Sequence, residues 1–330
     1  MITVYCRDGD CLAPVSATDT ATLPEGALWI DLLEPTADED RLVENWLGIA
    51  VPTREDMVEI EESSRFYKEG TAQFFTMPIL HGAGAGVPGI APVTFILKSP
   101  VLVTVRYSQP KAFTLYLGRA LKSGSGNVQD ASDGLAVLLG ILEAVTDRLA
   151  DVLETVSEDL DKASGTIFRR SQRDRPITTQ EFRVLITRIG EEGTFLGKVR
   201  ESLSGLDRLI VYLEAGPDPK KVTKATSAWM KSIERDTKSL ENYVDFLSNK
   251  ITFLLDTIVG LVSIEQNAII KIFSVAAVGF MPPTLVASIY GMNFEHMPEL
   301  AWPWGYPLAL GVMIASAALP LWFFHRKGWL

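Results

Sequence analysis

The chain has 330 residues and a formal net charge of -10 at pH 7, with 31 Lys and Arg against 41 Asp and Glu. That sign opposes binding to a polyanion, which argues against nucleic acid as a partner, and it suits a protein that handles cations. The composition, 47% hydrophobic and 22% charged, resembles that of a soluble protein only on average: from Ile272 to Phe324 the sole formally charged residues are Glu295 and Glu299, whereas Asp31 to Lys271 is densely charged.

In chain order, the apolar start Ile2 to Tyr5 is soon interrupted by Arg7, Asp8 and Asp10. This is not the pattern of a secretory leader, so the long N-terminal part is expected to stay in the cytoplasm. Cys6 and Cys11, without nearby histidines, do not make a closed zinc site and read as reduced thiols. The runs Leu28–Leu32, Gln73–Pro78, Val93–Leu97 and Val101–Arg106 are rich in β-branched or aromatic residues between turn formers, which predicts strands alternating with helices. His81–Pro92 is rich in Gly and Pro but lacks a Gly-Lys-Ser/Thr ending, so it reads as a hairpin connection rather than a phosphate loop. The Ser-Gly-Ser-Gly run within Lys122–Asn127 looks like a linker closing a cytoplasmic α/β domain over 1–127.

The pattern then turns helical. Leu135, Leu138, Leu139, Leu142, Val145, Leu149, Val152, Val156 and Leu160 recur at helical spacing. Glu143, Asp147, Asp151, Glu154, Glu158 and Asp161 form an acidic stripe on the same helix, either a solvated face or a weak surface for divalent ions. A second helix, Thr179 to Leu213, is stopped by Gly216-Pro217 and completes a helical hairpin over 128–218. A third begins near Pro219 and meets no stop before Gly291-Met292-Asn293. Unbroken, it would be on the order of 100 Å long, with a stalk over 219–271 continuing into an uncharged stretch over 272–290.

That stretch is long enough to cross a bilayer, which takes roughly 17–25 residues. A second span is expected over 305–324, followed by a basic tail over 325–330 that places the C-terminus inside. The short segment 291–304 is then an external loop, with Trp302 and Trp304, and Tyr306 just beyond, at interfacial depth. The predicted location is the inner, plasma, membrane, with both termini cytoplasmic and membrane lipid around the spans.

Tyr290-Gly291-Met292-Asn293-Phe294 followed by Met297-Pro298-Glu299-Leu300 resembles the signature of the CorA family of magnesium and cobalt transporters. Ile264-Glu265-Gln266-Asn267, Ile270-Lys271-Ile272-Phe273, Pro282-Pro283-Thr284-Leu285-Val286-Ala287-Ser288 and the closing Trp329-Leu330 are similar to its proteobacterial branch. The motifs cover about Leu261 to Leu330. His296 departs from the aromatic residue frequent there and leaves the core signature intact. The resemblance implies an α+β cytoplasmic domain followed by long helices, a stalk helix continuing into the first of two C-terminal spans, and a funnel-shaped homo-oligomer of five subunits. It also implies influx of Mg²⁺, with Co²⁺ and Ni²⁺ as similarly hydrated surrogates.

Physical chemistry agrees with that reading. Mg²⁺ prefers octahedral oxygen coordination and dehydrates reluctantly, so a pore that passes it hydrated needs acceptors for the bound waters. A ring of Asn293 carbonyls, with Gly291 turning the backbone and Met292 between, would supply them; a helix C-cap is the structural alternative for Asn293. No carboxylate lies inside either span. At about 100° per residue, Asp256, Asn267, Ile270, Phe273, Ala277, Met281 and Thr284 share one broad face of the long helix, and the resemblance makes this face the channel lining, although a helix-packing seam has the same pattern. Asn267 and Thr284 would offer oxygens; Ile270, Phe273 and Met281 would form a gate that closes by dewetting. Pro282 and Pro283 free the carbonyls of Val278 and Gly279.

Two helices per subunit do not enclose a pore, so several copies must assemble about an axis. Glu295 and Glu299 would raise cation concentration at the external mouth, or simply be solvated. A regulatory cytoplasmic site for Mg²⁺ is expected by resemblance, its ligands unassigned beyond the acidic stripe and the region of Glu234 and Asp236. A zinc transporter of the same superfamily and a membrane-tethered cytoplasmic sensor are the rival readings. No nucleophile and base pair up in the sequence, and with 3 histidines an enzyme is not expected.

Overall fold

The computed structural model describes residues 1–9, 11–15, 22–59, 61–83, 88–122, 133–171, 178–215, 223–293 and 297–328. The chain divides into two compact units, Met1–Phe253 and Leu254–Leu330.

The first unit is built on a mixed sheet of β1 (Ile2–Asp8), β2 (Cys11–Val15), β3 (Ala27–Leu33), β4 (Phe66–Glu69), β5 (Ala72–His81), β6 (Gly89–Lys98) and β7 (Val101–Arg106). Their order is β2-β1-β3-β7-β6-β5-β4. β1 pairs antiparallel with β2 and with β3, and β4, β5, β6 and β7 pair antiparallel in succession, whereas β3 meets β7 in parallel, with Ile30 opposite Val103. The two strands joined this way are the centre of the sheet. Every residue of β7 is buried, and all of β3 except Leu33, which explains their nearly continuous apolar sequences.

The four predicted strand runs correspond to β3, β5, β6 and β7. β1, β2 and β4 were not expected. Two of these, β2 and β4, are the sheet edges and only 5 and 4 residues long, short enough to limit pairing with other chains. The connection expected over His81–Pro92 is shorter: His81 ends β5 and pairs with Gly89, and Gly89–Pro92 extend β6, because both strands continue their ladder past the apolar runs.

Helix α1 (Ala37–Leu47) starts in a capping box between Thr36 and Glu39 and is closed by Gly48 at φ 57°, a conformation glycine adopts without strain. Burial alone would raise the Glu39 carboxyl, but hydrogen bonds from the backbone of Thr36 and Ile2 and from the chain's ammonium hold it below the usual range. The short α2 (Glu62–Arg65) leads into β4, and α3 (Lys111–Ala120) follows β7.

Two long helices come next, α4 (Gly134–Ser171) and α5 (Thr179–Glu214). The apolar positions read from the sequence, among them Leu138, Leu142, Val145, Leu149, Val152, Val156 and Leu160, are buried. Glycines let both helices come close to the sheet: a Cβ on Gly134 would lie 2.6 Å from the Leu102 nitrogen, and one on Gly205 would lie 2.9 Å from Pro78 Cδ. The acidic stripe of α4 is largely a solvated, ion-paired face. Asp147 meets Arg119 at 3.4 Å, Glu158 meets Lys162 at 3.7 Å and Asp161 meets Lys250 at 2.9 Å. Exposed pairs of this kind contribute roughly 0–1 kcal/mol each.

Helix α6 (Lys224–Tyr290) has 67 residues and stays helical through Pro282 and Pro283. It runs from the first unit into the second, and its predicted start near Pro219 falls in residues outside those described. The second unit contains the rest of α6, a 3-10 turn over Pro298–Ala301 and α7 (Gly305–Arg326). An α+β unit followed by long helices and two apolar C-terminal helices is the fold class expected from the sequence.

Candidate functional site

The two C-terminal helices are long and apolar enough to cross a membrane, yet only 6% of the apolar window of each is buried. The core helices of a soluble protein would be mostly covered. Val275 on α6 and Ala309 on α7 are the buried apolar residues here, while Phe280, Leu285, Ile314 and Leu319 are exposed. Such surface requires a cover of lipid, of other copies of the chain, or of both.

The seven predicted lining residues, Asp256, Asn267, Ile270, Phe273, Ala277, Met281 and Thr284, all lie on α6 and all are exposed. Ile270, Phe273 and Met281 are 60%, 71% and 68% accessible, so among the described residues little of the chain covers their side chains. Helix α7 approaches the other side of α6. A cavity of about 330 Å³ between the two is lined by Ile272, Val275, Ala276, Gly279 and Phe280 from α6, with Ala317 and Leu321 from α7. At about 100° per residue, the centre of this cavity-lining face is roughly opposite the centre of the stripe, with Ile272 and Phe280 at its margins still 68% and 76% accessible. A Cβ on Gly279 would be 3.7 Å from the Leu321 side chain.

The Thr284 hydroxyl donates to the Phe280 carbonyl at 2.7 Å. Its proton is therefore used within the helix and its oxygen is left as an acceptor. Pro282 and Pro283 have no N–H to give to Val278 and Gly279, so those carbonyls lack their helical partners.

At the end of α6, Gly291 N–H still bonds the Ala287 carbonyl at 3.0 Å, and Met292 N–H bonds Ile289 at 3.3 Å. Gly291 is not among the glycines with positive φ, so the left-handed freedom of glycine is not used there. Among the described residues Glu34 is the only non-glycine with positive φ. Asn293 therefore does not cap α6 in the left-handed conformation. It is exposed, as are Gly291 and Met292. Glu295 lies outside the described residues, and Glu299 lies in the 3-10 turn.

Trp302, Trp304 and Tyr306 stand exposed before and at the start of α7. At its far end Arg326 lies 4.7 Å over the Trp322 ring and Lys327 lies 5.1 Å over Phe323. Among the described residues no three His, Cys, Asp or Glu side chains converge to hold a metal ion. Glu234 is paired with Lys238, which holds its carboxyl below the usual range.

Comparison with known proteins was consistent throughout the chain. The family model described as CorA-like Mg²⁺ transporter protein matches residues 24–326. The magnesium transport protein CorA of Pasteurella multocida is 34% identical over 330 residues, covering 100% of both chains. That of Salmonella typhimurium is 35% identical over 332 residues, again covering 100% of both. The complete structure of the CorA magnesium transporter from Methanocaldococcus jannaschii is similar with a TM-score of 0.78, covering 100% of this chain and 99% of that one at 18% identity, a likeness of fold.

Proposed function

This chain belongs to the CorA-like Mg²⁺ transporter family, and from that premise we propose that it is a channel for passive Mg²⁺ influx across the inner membrane, formed by five copies around an axis lined by α6. Members of this family are transporters, not enzymes. The observation that carries the proposal is the exposed stripe of α6, which lies roughly opposite the face against α7 and is left largely uncovered by the described residues of one chain. A symmetric ring of copies supplies that cover and turns the stripe inward.

In this reading Asp256 faces the cytoplasmic funnel, Asn267 and Thr284 present oxygens, and Ala277 leaves width between the larger side chains. The ion enters with its waters, which the Asn293 ring at the end of α6, with Gly291 and Met292, selects by accepting their hydrogen bonds. Glu295 and Glu299 concentrate cations at the external mouth. Hydrated Co²⁺ and Ni²⁺ fit the same ring. Both termini are cytoplasmic, with the basic end of α7 on the inner side. The membrane potential drives entry with about 2.3 kcal/mol per charge per 100 mV, or about 4.6 kcal/mol for a divalent ion.

Ile270, Phe273 and Met281 form the gate. A hydrated Mg²⁺ passes an apolar ring only when the ring is wet, and narrower rings dry more readily. Met281→Ala and Phe273→Ala are each expected to raise resting Mg²⁺ flux into proteoliposomes several-fold. Unchanged resting flux in both variants would assign the stripe to packing instead.

Regulation by cytoplasmic Mg²⁺ is placed, as the resemblance implies, at a site assembled between copies; among the described residues of one chain no three His, Cys, Asp or Glu side chains converge. Binding there relieves repulsion between like charges and favours the symmetric closed state. Millimolar Mg²⁺ is expected to protect the first unit from protease and to reduce conductance, with chelation reversing both. Indifference of proteolysis and current to Mg²⁺ would remove regulation while leaving the pore assignment intact.

A further inference from the structure

Between α5 and the β4–β5 edge of the sheet lies a cavity of about 300 Å³ whose wall includes Arg65, Arg200 and Arg208. It adjoins a second cavity of about 250 Å³ through Arg65, Thr76, Pro78 and Glu201, and the rest of that second wall is largely apolar, with Met57, Val58, Ile90 and Pro92. Together they make one cleft, cationic at one end and apolar at the other, with a carboxylate at the junction.

The charge in this cleft runs against the rest of the molecule. Three guanidiniums and one carboxylate line it in a chain of net charge -10. Arg65 is held by a hydrogen bond from its Nε to the Glu59 carbonyl at 2.6 Å, and its terminal nitrogens make no further hydrogen bond among the described residues. Arg200 is anchored by Asp245 at 2.5 Å, a residue outside the cleft wall.

The cleft is also open where packing could have closed it. Gly205 lets α5 sit directly on β5, with a Cβ there 2.9 Å from Pro78 Cδ, whereas a Cβ on Gly197 two turns earlier would meet nothing within 4 Å.

We propose that this cleft binds a nucleoside phosphate. The phosphates lie on Arg65 and Arg200, since guanidinium forks match phosphate oxygens. The ribose hydroxyls donate to Glu201 at the junction, and the base lies against Val58, Ile90 and Pro92. An occupant ties α5 to β5 and to the α2 turn. The inference is independent of the transport reading, because the cleft lies within the first unit and its test measures binding alone.

The test is calorimetric titration of ADP into the detergent-solubilised full-length protein, with magnesium chelated. Saturable binding is expected, and Arg65→Gln should weaken it roughly tenfold or more through loss of a charge-assisted contact. A Cβ at Gly197 meets nothing within 4 Å, so Gly197→Leu, which also improves helix propensity, projects into the open space and should abolish binding in a well-folded protein. Pyrophosphate, which lacks the nucleoside, should bind roughly tenfold or more weakly than ADP. No saturable ADP binding by the unsubstituted protein, unchanged ADP affinity in either variant, or equal affinity for pyrophosphate would overturn the proposal.

Discussion

Asn293→Ala is expected to lower Mg²⁺ uptake by roughly a hundredfold or more, because hydrogen bonds to charged or polarised groups contribute about 1.5–3 kcal/mol each and the substitution removes one acceptor from every subunit at once. Asn293 is exposed at the end of α6, so little packing goes with it. The oligomer should therefore elute unchanged in size-exclusion chromatography. Normal Mg²⁺ uptake by the variant would show that the ion's waters are not read at this position.

Asp31→Ala is expected to have the largest effect on stability. Arg106 Nε donates to Asp31 Oδ1 at 2.9 Å and Arg106 Nη2 donates to Asp31 Oδ2 at 2.7 Å, with side chains only 9% and 5% accessible. The Thr104 hydroxyl donates to Asp31 Oδ1 at 2.8 Å and itself accepts from Trp29 Nε1 at 2.9 Å. Arg106 Nη1 donates to the Ser108 carbonyl at 2.9 Å, and the guanidinium lies 4.8 Å over Phe113. The pair is thus satisfied on every side, and removing the carboxylate strands a buried guanidinium at a cost of roughly 3–5 kcal/mol. A fall of roughly 6–20 °C in the unfolding midpoint follows. Replacing both partners with apolar residues, as in Asp31→Leu with Arg106→Met, should recover much of it. A shift of less than about 1 kcal/mol in Asp31→Ala would mean that the network contributes little.

That network illustrates what was not legible in the sequence. Asp31 and Arg106 are 75 residues apart, and each looks like a polar residue in or at the end of an apolar run; only the parallel pairing of β3 with β7 makes them partners. Local patterns revealed β3, β5, β6 and β7, because burial leaves a long apolar run; β1, interior to the sheet, was missed because its apolar run ends at Arg7 and Asp8. They did not reveal β2 or β4, whose half-exposed, short sequences carry little periodicity. Long helices were the most legible elements: α5 was expected over Thr179 to Leu213 and spans Thr179–Glu214.

At the candidate site, the stripe on α6 could be read from spacing alone because a helix converts sequence interval directly into angle. Its exposure could not, since that depends on where α7 packs. Gly291 was expected to supply a sharp turn, but its amide completes the helix. The arginine cleft gave no sequence signal: Arg65 comes from α2, whereas Arg200 and Arg208 come from α5, and none belongs to a motif.

Transport itself is tested most directly by ion flux into liposomes containing the purified full-length protein, comparing Mg²⁺, Co²⁺, Ni²⁺ and Zn²⁺ with and without an inside-negative potential. The predicted result is Mg²⁺ uptake that accelerates with the potential, shared by Co²⁺ and Ni²⁺. Absence of Mg²⁺ uptake at any potential, or uptake of Zn²⁺ in its place, would contradict it.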